Sequence, residues 1–114
     1  MELYKILLPL EWRTLTLERR TFGAALDEAD GYVHLSTAQQ VKETAAKHFK
    51  CHNNIVLVGC DTDLMKEPLR WEPSRSGMLF PHLYGRMDMD FVLWHESVCM
   101  TNGVHLFPNE IIST

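Results

Sequence analysis

One passage limits the fold more than any other. "DGYVHLSTAQQVKETAAKHF", residues 30–49, is followed closely by "NIVLVGC", residues 54–60. Asp30-Gly31 is a turn dipeptide. "YVHLS", residues 32–36, alternates with a period of two and reads as a short strand. The period then lengthens, and Ala38, Val41, Ala45, His48 and Phe49 fall on one helical stripe. Ser36 with Gln39, or Thr37 with Gln40, has capping-box spacing, and Lys47 and Lys50 suit the last turn. "NIVLVGC" is apolar and β-branched, as a central strand requires.

No second strand–helix–strand unit of this kind follows. Residues 3–8, "LYKILL", form a buried first strand stopped by Pro9. "LEWRTLTLERR" is a short helix with Leu10, Leu17 and Trp12 inward. "DTDLMKEP" is a turn with one helical turn. In "LRWEP" Leu69 and Trp71 face one side, and Arg70 and Glu72 the other. Pro81 confines "MLFPHLYG" to an edge strand or a loop. "DFVLWHESVCM" is a long strand, and Asn102-Gly103 turns it into "VHLF" as a hairpin. Strands outnumber helices and connections are short, so the class is α+β and not a doubly wound nucleotide fold.

The 114 residues suffice for one domain with one core, residues 1–114. No apolar run approaches the ~18 residues of a membrane span. The N-terminus lacks a basic n-region, so neither a membrane nor a signal peptide is expected. Three cysteines, an odd number without C-x-x-C spacing, give no disulfide framework. Cys60 and Cys99 lie in apolar runs and are expected to be buried thiols, and a cytoplasmic location fits this usage. His48 and His52 are four apart, but Cys51 and Asn53 place the helix end before His52, so no metal site is expected.

The net charge of −4 excludes non-specific coating of nucleic acid. Within residues 69–86, however, Arg70, Arg75 and Arg86 oppose Glu72 alone, a local +2. A positive patch on an acidic chain suits a small anionic or phosphorylated ligand. There is no phosphate-cradling glycine loop and no G-x-S-x-G elbow. The polar residues of two strands remain. Val33 and Leu35 suit a core, which turns Tyr32, His34 and Ser36 to the opposite face. The helix start at Ser36 and Thr37 also favours an anion, although either residue can serve only as a cap. Arg70 and Glu72 share a face and are either a salt-bridged ladder or half of a site. Arg75, His82 and Tyr84 follow closely, and planar arginines with ring donors are what phosphate recognition uses. His34 and Arg70 are therefore expected in one cleft.

"DGYVHLSTAQQVKETAAKHF" and "LRWEPSRSGMLFPHLYG" resemble the two signature stretches of the family called domain of unknown function 952, and "YKILLPLEW" resembles its opening. The resemblance spans residues 3–107, leaving 108–114 as a tail. It implies an ADP-ribosyltransferase-like fold, a bent, split sheet of about six strands with two helices around a cleft. It also implies a function of the ADP-ribosyltransferase or RNA 2′-phosphotransferase kind, with NAD as substrate. On that model, His34 and Glu72 are catalytic, Glu96 being the other glutamate available. Ser36, Thr37, Arg70, Arg75, His82 and Tyr84 then bind ligand. A carboxylate at Glu72 would stabilise the ribose cation formed when the nicotinamide bond breaks. The alternative is a non-catalytic binding module for a nucleotide or other phosphorylated small molecule.

Overall fold

The computed structural model describes residues 1–74 and 77–108. Strand β1 (Glu2–Leu7) leads into helix α1 (Pro9–Glu18), with Pro9 at the first helical position, where its missing N–H costs nothing. Strand β2 (Arg20–Thr21), helix α2 (Ala25–Asp30), strand β3 (Val33–His34) and helix α3 (Val41–His48) follow. The rest is mainly β: β4 (Asn54–Asp61), β5 (Leu69–Pro73), β6 (Leu79–Leu83), β7 (Met87–Asp88), β8 (Val92–Thr101) and β9 (Val104–His105). A 3-10 turn, Thr62–Leu64, sits where one helical turn was expected.

All strand pairs among the described residues are antiparallel. One sheet runs β1-β4-β8-β9, a second β3-β6-β5, and β2 pairs with β7. Tyr4 and Ser36 exchange backbone hydrogen bonds of 2.8 Å and join the first sheet to the chain leaving β3. The result is a small compact α+β domain with curled sheets and a radius of gyration of 13.1 Å. Among the described residues, nine strands and three helices stand where about six and two were expected. The extra helix is α2, and several added strands are only two residues long.

Strand β4 is apolar from Ile55 to Cys60 because both faces of its sheet are covered. On one face Leu3, Leu7, Val56, Val58 and Cys60 pack with Leu15, Val33, Leu35 and Leu83. On the other, Tyr4, Ile6, Ile55 and Leu57 pack with Val41 and Ala45 of α3. The Asn102-Gly103 turn has φ of 52° and 78°, the doubly left-handed geometry that matches strand twist.

Four expectations need correction. In α1, Leu10 and Leu17 are 76% and 72% exposed, whereas Leu15 is fully buried with Trp12 packed beside it. Leu17 lies about 200° around the helix from Leu15, so only one of the two can face the core. Trp71 is exposed on β5, since Leu69 alone of that strand packs on the core. Cys99 is exposed, while Cys60 is buried and its thiol is pushed up to about 12 by burial. Finally, β6 is the middle strand of its sheet despite Pro81. The Pro81 carbonyl accepts from Leu35 N–H at 3.0 Å, so the side lacking a donor faces the end of β3, where pairing stops.

Candidate functional site

The polar face of the β3-β6-β5 sheet carries the site. His34 is directly opposite His82, and His82 is directly opposite Arg70; Glu72 lies two residues along β5 from Arg70. Opposed residues of an antiparallel pair project to the same side. His34 and Arg70 therefore share a face, as the sequence pattern required, with Val33, Leu35 and Leu83 on the core side.

His34 is held from all sides. Its N–H and C=O point away from β6, because its pair with His82 lies between the hydrogen-bonded pairs. The N–H donates to Asp27 Oδ1 at 2.9 Å, and the carbonyl accepts from Lys5 Nζ at 3.0 Å. The ring's Nδ1 lies 2.6 Å from Asp27 Oδ1, and Nε2 lies 3.0 Å from Asp30 Oδ2. Asp27 also accepts from Lys5 Nζ and from Ala24 N–H, each at 2.6 Å. Burial pushes the Asp27 carboxyl up, but the hydrogen bonds from His34 and the charge of Lys5 outweigh it and hold it at about 2. Gly23, with φ of 96°, passes so close that a side chain there would strike this carboxylate.

Glu72 is held by a second set. Its Oε1 accepts from Tyr84 Oη at 2.7 Å and from His82 Nδ1 at 2.8 Å, and these bonds keep the carboxyl below its ordinary range. The Arg70 guanidinium stacks 4.6 Å from the Tyr84 ring centre. Among the described residues it makes no ion pair. The salt-bridged ladder between Arg70 and Glu72 is thus not formed. Tyr32 closes the group, its ring centre 4.2 Å from His82, 4.7 Å from His34 and 5.1 Å from Tyr84.

Beside this cluster lies a pocket of about 110 Å³. His34 and His82 form part of its wall, together with Lys5, Ser36, Thr44 and Phe80. Ser36 Oγ donates to Thr44 Oγ1 at 3.4 Å, so two hydroxyls line the far side. The pocket is smaller than the ~300–1,000 Å³ of a drug-sized ligand site.

Of the site residues expected from sequence, His34, Ser36, Arg70, Glu72, His82 and Tyr84 meet in this region. Thr37 does not line the pocket, and its N–H is taken by Gln40 Oε1 at 3.1 Å, one half of the expected capping box. Helix α3 starts only at Val41. Arg75 lies outside the described residues. Glu96 is exposed on β8, in the other sheet. Lys5, Asp27 and Tyr32 had not been singled out as site residues. A lysine inside an apolar strand signals a buried partner, and Asp27 stands in the first turn of a helix whose stop, Gly31, was visible. Among the described residues, no group of three or more His, Cys, Asp or Glu could hold a metal ion, and no helix is long and apolar enough to cross a membrane.

Residues 6–95 match the family model described as "Protein of unknown function (DUF952)". The chain belongs to this family. A crystal structure of protein CC0527 from Caulobacter crescentus is similar to it at 36% identity, with a TM-score of 0.91 over 98% of this chain and 99% of that one. A double mutant of CC0527 gives 37% identity and the same TM-score and coverage. The solution structure of CC0527 gives 38% identity and a TM-score of 0.79, over 91% of this chain and 90% of that one. No curated protein matches the chain.

Proposed function

We propose that this face binds a small phosphorylated ligand bearing a planar ring, a nucleotide in chemical class. The observation that supports this best is Arg70, a guanidinium that makes no ion pair among the described residues and is set on a tyrosine beside three further rings. Arginine held flat by stacking is pre-organised for bidentate contact with phosphate. A base or sugar can lie along Tyr32 and Tyr84, with a further phosphate or sugar in the pocket near Ser36, Thr44 and His34. Glu72 is fixed by Tyr84 and His82, which suits a scaffold that aims ring donors at a ligand.

A second reading has its own support. Both bonds to Glu72 fall on Oε1, and the carboxylate is about one-third exposed, at 34%, and held ionised. In an ADP-ribosyltransferase-like fold, such a group beside NAD would stabilise the ribose cation, with His34 on a ribose hydroxyl, making the protein an NAD-dependent transferase or glycohydrolase. Calorimetric titration with AMP, ADP-ribose and NAD tests the first reading. Arg70→Ala is expected to weaken binding at least about tenfold, the loss of one charge-assisted contact. Undiminished affinity in that variant refutes it. For the second reading, Glu72→Gln should lower the NAD cleavage rate about 100-fold with little change in affinity. A wild type that leaves NAD intact refutes it.

A further inference from the structure

The site holds two carboxylate–histidine pairs, not one. His34 and His82 are cross-strand neighbours with ring centres 5.3 Å apart and planes at 70°. Each has its Nδ1 against a carboxylate oxygen, Asp27 for His34 at 2.6 Å and Glu72 for His82 at 2.8 Å. The carboxylates come from opposite flanks of the sheet, α2 and β5. Both rings line the same pocket, with Lys5 Nζ and the Ser36 and Thr44 hydroxyls near them.

The rings differ in what their second nitrogen meets. His34 Nε2 faces the Asp30 carboxylate at 3.0 Å and Nδ1 faces Asp27 at 2.6 Å, so both its nitrogens lie against acceptors. Among the described residues Nε2 of His82 has no hydrogen-bond partner. With Nδ1–H donated to Glu72, its Nε2 carries a lone pair. One ring is thus set to give a proton and the other to take one.

We propose that the pocket hydrolyses a small phosphodiester, a nucleoside cyclic phosphate in class, with His82 as general base and His34 as general acid. This rests on the binding reading above. Water attacks phosphorus as one of its protons passes to His82 Nε2. The bond from phosphorus to the leaving oxygen breaks as His34 Nε2 gives its proton to that oxygen, with exposed Asp30 displaced from it. A phosphomonoester with a free hydroxyl results, and proton exchange with solvent restores both rings. Lys5 and Thr44 supply donors to the non-bridging oxygens, and Ser36 orients the Thr44 hydroxyl by donating to its oxygen. Asp27 and Glu72 act as positioning residues.

The leaving group gives the test. Adenosine 2′,3′-cyclic phosphate expels an alkoxide that must be protonated, whereas bis(p-nitrophenyl) phosphate expels a stable phenolate that needs no acid. Wild type is expected to hydrolyse both. His82→Asn should lose about 100-fold or more on both, the usual contribution of a general base. His34→Asn should lose about 100-fold on the cyclic nucleotide but no more than about fivefold on the nitrophenyl diester. If the buried His82 variant fails to fold, the half-exposed His34 carries the test alone. Equal losses on both substrates in His34→Asn overturn the assignment. Calorimetric binding of the cyclic nucleotide by wild type without turnover overturns the chemistry and leaves the binding reading standing. Neither binding nor turnover removes both.

Discussion

Replacing Asp27 by asparagine separates the fold's dependence on a charge from its dependence on shape. Asp27 is 2% exposed and accepts from Lys5, Ala24 and His34. Asparagine keeps one acceptor oxygen but leaves the Lys5 ammonium, itself 5% exposed, without its counter-charge. Removing one partner of a buried ion pair typically costs about 3–5 kcal/mol, a large share of the ~5–15 kcal/mol that holds a domain together. Part of this cost follows pH. The carboxyl stands at about 2 in the folded chain against an ordinary 3.8, which contributes about 2 kcal/mol in favour of folding. The folded value is the depressed one, so the contribution is complete above pH 3.8 and is lost as pH falls through 2. Urea unfolding of wild type and Asp27→Asn at intervals from pH 7 to pH 2 measures both parts. The variant should be about 3–5 kcal/mol weaker at neutral pH, and the gap should narrow below pH 4. Adding Lys5→Met, which removes the stranded charge, should recover part of the loss. A neutral-pH difference below about 1 kcal/mol, or a gap that stays constant down to pH 2, would refute the account of Asp27 as the anchor of this network.

Three further substitutions probe the frame around the site. Leu15→Ala should cost about 2–5 kcal/mol by opening a core cavity, and Leu17→Ala should stay within about 0.5 kcal/mol, as denaturant midpoints will show; equal effects would mean that α1 presents another face. In Gly59→Ala the new methyl would stand 2.5 Å from the Trp94 ring, beside the register shift between Gly59 and Cys60. A loss of about 1–3 kcal/mol with altered tryptophan fluorescence is expected, and an unchanged melting curve would show that the ring moves freely.

The sequence made the frame legible where period and burial agreed. The β4 run, Val41 and Ala45 of the α3 stripe and the Asn102-Gly103 turn each satisfy a local rule that packing did not override, whereas His48 of that stripe is exposed and Ala38 precedes the helix. The shared face of His34 and Arg70 was legible for the same reason, since alternation within two strands fixes it. Helix α2 was missed because six residues are too few to display a period, and its sequence, ALDEAD, shows no apolar stripe. Its caps were the available signal. The partners of Glu72 were missed because Arg70 is nearer along the strand, whereas His82 and Tyr84 reach it only through the register of a neighbouring strand. Pairing register is a tertiary fact that alternation alone does not encode.

Pro81 has a consequence for that register. A two-residue slip of β3 along β6 would keep His34 on the polar face yet set it against Phe80. It would also bring Val33 opposite Pro81, in the middle of the pairing, where an N–H is needed and none exists. The slip thus forfeits a hydrogen bond worth about 1 kcal/mol, while the native pairing places the gap where β3 ends. Freed there, the chain turns at once to Tyr4 and joins the other sheet. The residue that looked most like an interruption of a strand serves as the stop that keeps the two imidazoles in the same row.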